Sequence, residues 1–191
     1  MQSARPSFDP ISVITGSWTM RATSLPIWLS GLTQEPHYTF SLDGDRPDSI
    51  TETLTYLAHN GQAVVVETSH VVDGERFVAR GVGLARFSRR KWSVSGVSAD
   101  GEVIALRFTQ TRLSAEGVSI LVRDGAERPR LRAEVASDID AFGLALEEFA
   151  SITWFNPATL NETARSETAR VETPRIESAH SESAHNEVTH N

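Results

Sequence analysis

Over the first 125 residues the apolar positions recur with a period of two, the mark of half-buried strands. Residues 49–58 show it most clearly. Ile50, Leu54 and Tyr56 fall on one face; Thr51, Thr53 and Thr55 fall on the other. Residues 12–24, 37–42, 62–72, 76–87, 92–97, 102–112 and 118–123 read as the remaining strands of a set of eight. Tight-turn pairs punctuate them at Asn60-Gly61, Asp73-Gly74, Asp100-Gly101 and Glu116-Gly117, and Asp124-Gly125 ends the series. Strands joined by two-residue turns are antiparallel neighbours. A meander of this kind has two unpaired edges, and closing it into a barrel removes them. An eight-stranded barrel has just enough interior for side chains or one small ligand. Gly81 and Gly83, inside 76–87, predict a bend or a close backbone approach.

Beyond residue 125 the period changes. Leu131, Val135, Ile139, Phe142, Leu146 and Phe149 are spaced 4, 4, 3, 4 and 3, which predicts an amphipathic helix with Pro129 near its start. Its natural partner is the outside of the barrel, and Ile152, Trp154 and Phe155 extend the same contact. From Asn161 the chain reads in fives: NETAR, SETAR, VETPR, IESAH, SESAH, NEVTH. Five residues advance a helix by about 500°, so no apolar stripe builds up. With only Val171, Ile176 and Val188 as large apolar residues, the segment cannot offset its ordering entropy. The expected fold is therefore all-β with one helix: an eight-stranded antiparallel up-and-down barrel, a C-terminal amphipathic helix on its outside, and a disordered tail. The corresponding boundaries are an arm at 1–10, the barrel domain at 11–157 and the repeat tail at 158–191.

Composition narrows the class. The 191 residues carry a formal charge of −7, which argues against general nucleic-acid binding. No cysteine is present, so disulfides, thiolate metal sites and a Cys nucleophile are excluded. No apolar run approaches the ~20 residues of a membrane helix, so no membrane partner is expected. Met1 to Pro10 hold no apolar core of a secretory signal, and the expected location is cytoplasmic. The bases are 17 Arg and the single Lys91, a bias that fits a GC-rich genome better than anion recognition.

Gly16-Ser17-Trp18 on the first strand, followed by the meander and the trailing helix, resembles the lipocalin, or wider calycin, family. The resemblance implies that Trp18 closes the barrel floor and that Arg123, near the end of the last strand, packs across it. A closer resemblance is to a group of little-characterised lipocalin-like microbial proteins. It runs through Ser24-Leu25-Pro26-Ile27-Trp28, Tyr38-Thr39-Phe40, Arg80-Gly81-Val82-Gly83-Leu84, Lys91-Trp92-Ser93-Val94 and residues 111–120. Val78, Leu84 and Ala105 stand where that pattern has aromatics, which implies a roomier or more aliphatic pocket. The group implies a fold and no settled activity.

The candidate lining residues are Trp18, Trp28, Tyr56, His70 and Arg80. Trp28, after Pro26, is either a lid over the open end or a seal on the floor or wall. Tyr56 either offers its hydroxyl to a ligand or is a satisfied core residue. Arg80 alternates with Val78 and Val82; if those face inward it does too, as an ion pair with Glu52 or Glu67 or as an anchor for an acidic or carbonyl-bearing ligand. Arg107 poses the same choice. His37 and His70 are the histidines placed to serve as an axial haem ligand, though nothing else supports haem. His59, beside the Asn60-Gly61 turn, reads as exposed. Glu147 and Glu148, and the basic turn Arg86, Arg89, Arg90 and Lys91, read as solvated. No nucleophile elbow, phosphate loop or metalloprotease motif occurs, so no cofactor and no metal are expected. The leading function is binding of a small, largely apolar ligand in the barrel, as a carrier or sensor. The alternative is a cofactor-independent isomerase or cyclase in which Arg80 or Tyr56 polarises a carbonyl and His70 moves a proton. A third reading is a scaffold whose tail recruits a partner. Oligomeric state is not encoded in any pattern found.

Overall fold

The computed structural model describes residues 8–44, 46–80, 90–111 and 115–155. The expected repeat tail, the basic residues Arg86 and Arg89, and the glycines Gly81 and Gly83 lie outside them. Among the described residues the order is α1 (Pro10–Ile14), β1 (Gly16–Thr23), α2 (Pro26–Leu29), β2 (Thr33–Asp43), β3 (Arg46–Ala58), β4 (Ala63–Asp73) and β5 (Arg76–Arg80). There follow β6 (Lys91–Val97), β7 (Val103–Phe108), β8 (Gly117–Arg123), α3 (Leu131–Ser137), α4 (Leu146–Ser151) and β9 (Thr153–Trp154).

Every consecutive pair from β1 to β8 is antiparallel, and β1 also pairs with β8, so the eight strands close. The expected barrel is the one observed. Gly61, Gly74 and Gly101 turn three of the hairpins with φ between 62° and 76°, a backbone region where glycine carries no steric cost. Gly117 differs from the turn role expected of it. It opens β8, and a Cβ there would lie 2.8 Å from Leu25 Cδ2, so close packing against the β1–α2 connection is what glycine permits.

β1 rises from the floor of the barrel to its mouth. Its lower half pairs with β2, from Gly16↔Phe40 to Thr19↔His37. A register shift between Met20 and Ala22 then rotates the strand. Trp18 and Met20 therefore point into the barrel, while Ala22 joins the outer layer and pairs with Trp154 of β9. The start of the expected first strand, 12–24, is instead the short α1. Asp9 caps it, its carboxylate accepting from the Ile11 and Ser12 amides, and Pro10 occupies the first turn.

Two apolar layers result. The inner one contains Trp18, Tyr38, Phe40, Phe77 and Trp92, all at most 1% exposed, with Ile50, Ile104 and Leu121. The outer one joins Val103, Ala105, Val118, Ile120 and Val122 of β7 and β8 to Leu131, Val135, Phe142 and Leu144. The single amphipathic helix expected over this face is two short helices. The chain between them turns at Gly143, with φ +61°, and drops onto β6, where the absent Cβ of Gly96 makes room for the Ala141–Phe142 backbone. Ser95 Oγ donates to the Phe142 carbonyl at 3.0 Å and fixes the contact. The break resets the helical phase. Leu146, expected on the apolar face, is 70% exposed.

Candidate functional site

The floor is built to stay shut. The Arg123 guanidinium lies 4.2 Å over the Trp18 ring, as the Gly-x-Trp resemblance implied. Arg123 also donates to the Thr15 and Val13 carbonyls, and Trp18 Nε1 donates to the Ile14 carbonyl at 2.7 Å. A side chain at Gly16 would meet Arg123 Nη1 at 2.5 Å, which explains the glycine two residues before the Trp. Above this floor Phe77 stacks on Trp92 at 4.2 Å, and Phe40 packs against Trp92 at 5.4 Å. The lower interior is thus filled by the protein's own rings.

The mouth is different. A pocket of about 250 Å³ opens there, lined mainly by Leu25, Trp28, Leu54, Tyr56, Val66 and Phe108, with Arg90 as the cation in its wall. Trp28 is carried by α2, which Pro26 initiates, and meets Tyr56 edge-on at 5.7 Å. Ile27 and Leu32 flank the opening and are 58% and 61% exposed. Val66, an inward position of β4, remains 39% exposed.

Between mouth and floor lies a buried polar group. Glu52, 3% exposed, shares the inward face of β3 with Ile50 and Leu54. Its Oε2 is 2.8 Å from His70 Nε2, and its Oε1 is 3.5 Å from Arg90 Nη2. Burial by itself would raise the Glu52 carboxyl. His70 and Arg90 outweigh it and hold the group below its ordinary value, as an anion. Arg90 also lies 4.6 Å over the Phe108 ring. The Tyr38 hydroxyl sits against Arg90 and the Trp28 indole. Burial drives it well above the usual phenol range, so it stays protonated.

The five expected lining residues separate. Trp28 and Tyr56 line the mouth pocket. Trp18 is sealed in the floor, and His70 is 1% exposed against Trp92, 5.3 Å from its ring. Arg80 is exposed on the outside of the barrel. The phase of β5 is set by Phe77 and Ala79, which are buried inside, so the inward placement that Val78 and Val82 would have given Arg80 is not adopted. Glu52 takes Arg90 in its place. His37 is half-exposed on the outer face, 2.5 Å from Asp124, and His59 is exposed.

A second groove, of about 510 Å³, lies outside the barrel beside α4. Arg107 crosses it to pair with Glu148 and donates to the Gly143 carbonyl at 2.8 Å. The Arg107 guanidinium holds the Glu148 carboxyl below its ordinary value. This pair ties α4 to β7.

No family model and no curated protein matches the chain in sequence. Solved structures match its shape. Lobster apocrustacyanin A1 aligns at 10% identity with a TM-score of 0.50, over 80% of this chain and 84% of that one. Apocrustacyanin C2 aligns at 10% identity and 0.51, over 79% and 84%. The fold is lipocalin-like. The siderocalin Ex-FABP also aligns, at 14% identity and 0.47, over 68% of this chain and 88% of that one. The lipocalin-like barrel places the mouth pocket at its open end, with the Trp18–Arg123 closure at the other.

Proposed function

We propose that this protein binds one small, largely apolar molecule in the open end of its lipocalin-like barrel, as a carrier or sensor. The observation that carries this reading is the mouth pocket itself. Its walls are mainly apolar, two aromatic rings stand across it, and side chains such as Ile27 and Val66 stay uncovered beside a tightly packed interior. Burying apolar ligand surface would supply the affinity, at roughly 25 cal/mol per Å² before the costs of association.

The enzymatic alternative has less support. It needs Tyr56 or Arg80 to meet His70. Arg80 is outside. His70 pairs with Ile50 and Tyr56 with Val64, six residues apart on β3, or about 20 Å along the strand.

A neutral fluorescent probe such as 2-naphthol tests the proposal. Saturable one-to-one binding is expected, weakened at least about tenfold in Trp28→Ala and unchanged in Leu146→Ser, on the far outer face. Absence of saturable binding, or equal binding by Trp28→Ala, overturns it.

A further inference from the structure

We propose that the mouth pocket and the groove outside the barrel form one two-part site for an amphiphile with a neutral, polyhydroxylated head group. The chain lies in the pocket, and the sugar-like head lies in the groove beside α4. This rests on the binding function proposed above, which it confines to the apolar part of the guest, and adds the head group.

The two cavities share a wall. Phe108 borders both. The consecutive residues Ser24 and Leu25 border one each, Ser24 the groove and Leu25 the pocket. Phe108 ends β7, and Ser24-Leu25 lead from β1 into α2. Gly117 keeps this wall thin. A Cβ there would lie 2.9 Å from Ser24 Oγ and 2.8 Å from Leu25 Cδ2, so the β1–α2 connection rests on β8 with no side chain interposed. A guest seated against Trp28 has only Phe108 and this connection to cross before its outer end reaches the groove.

The groove is polar where the pocket is apolar. Ser24, Thr109 and Ser151 bring hydroxyls to it, and Arg107, Glu116 and Glu148 bring charge. Arg107 is already engaged. Both of its Nη atoms donate to the Glu148 carboxylate, and Nη2 also donates to the Gly143 carbonyl. Thr109 and Glu116 are exposed, and their side chains make no hydrogen bond among the described residues. The Ser151 hydroxyl donates to the Glu148 carbonyl at 2.7 Å and keeps its lone pairs. The capacity left over is mostly acceptor: the Glu116 carboxylate and the hydroxyl oxygens, carried on separate elements. One base against two acids leaves the groove with a net negative charge, which disfavours a carboxylate or phosphate head. Several neutral O–H donors on one rigid ring answer such a set of acceptors, and the same hydroxyls accept from Thr109 in return.

Size agrees. At the ~30 Å³ a water-sized group takes in a liquid, the pocket of about 250 Å³ holds a chain of roughly eight carbons. The groove of about 510 Å³ takes a hexose ring, about twelve non-hydrogen atoms, with a few waters. A lone ammonium would fill little of it.

The test compares octyl β-glucoside with 1-octanol, below the concentration at which micelles form, by NMR titration of the Trp28 indole and Gly117 amide signals. Both compounds should shift Trp28, and only the glucoside should shift Gly117. The glucoside is expected to bind about tenfold more tightly, the scale of one or two net hydrogen bonds. Glu116→Gln should cut that preference several-fold, and Ser151→Trp, which fills the groove, should bring the ratio close to one. Both positions are exposed, so neither change threatens the fold. Equal affinities in the wild-type protein, a Gly117 signal that stays fixed, or a preference that persists in Ser151→Trp overturn the two-part site while octanol binding stands. Octylammonium binding as tightly as the glucoside overturns the polyhydroxylated head in favour of a cation. If none of the compounds binds, the binding function itself is overturned.

Discussion

The two ends of the barrel are made from similar residues used in opposite ways. At the floor, Trp18 is fully buried, Arg123 covers its face, and α1 supplies carbonyls to both. At the mouth, Trp28 and Arg90 again bring an indole and a guanidinium close together, but around open space. At the floor the Arg donors are spent on backbone carbonyls. At the mouth, Arg90 pairs with Glu52, and its Nε is buried without a hydrogen-bond partner among the described residues. One end contributes stability, and the other keeps uncovered apolar surface around a pocket, which is what a binding site requires.

Substitutions can break this contrast. The largest effect belongs to Trp18→Ala, which should cost about 3–5 kcal/mol in denaturant unfolding through the cavity it leaves. A loss below ~1 kcal/mol would mean that the floor is not a packed core. Arg123→Met should cost less, about 2 kcal/mol, through the lost ring contact and two carbonyl bonds. Retention of full stability would remove Arg123 from the closure. Glu52 is read through pH. Its folded carboxyl titrates below the ordinary value of 4.5. It therefore contributes stability above about pH 4.5 that is lost as pH falls through the lower folded value. Glu52→Gln should flatten the acid limb of the stability curve in that window, and an unchanged slope would show that the ion group does not form. The smallest effect is at the rim. Ile27→Ser should leave stability within about 0.5 kcal/mol while weakening the neutral probe. A large loss of stability there would make the rim part of the core.

Much of the barrel could be read from period and turns, because alternation and Gly-containing turn pairs act locally. What alternation alone could not supply was phase. β5 carries apolar residues on both faces, so Val78 and Ala79 are equally fit to point inward, and that choice decides which side Arg80 takes. The helix face failed for a related reason. The 4-4-3-4-3 spacing is continuous, but Gly143 and the approach to Gly96 interrupt it through a tertiary contact that no local pattern carries. The polar group inside the barrel did leave a signal. Glu52 has the same parity as Ile50, Leu54 and Tyr56, so the alternation placed a carboxylate on an apolar face. A carboxylate in that position demands a cation or an imidazole. Arg90 has the parity of Trp92 and Val94, which marks it as inward too, although a basic turn reads first as solvated.

The four indole N–H signals, Trp18, Trp28, Trp92 and Trp154, report on floor, mouth, interior and outer layer separately. Following all four during a 1-octanol titration is the most direct measurement. Only Trp28 should shift, saturably, while Trp18 and Trp92 stay fixed. Movement of Trp18 or Trp92 without Trp28, or no movement at all, would contradict a guest seated at the open end above a closed floor.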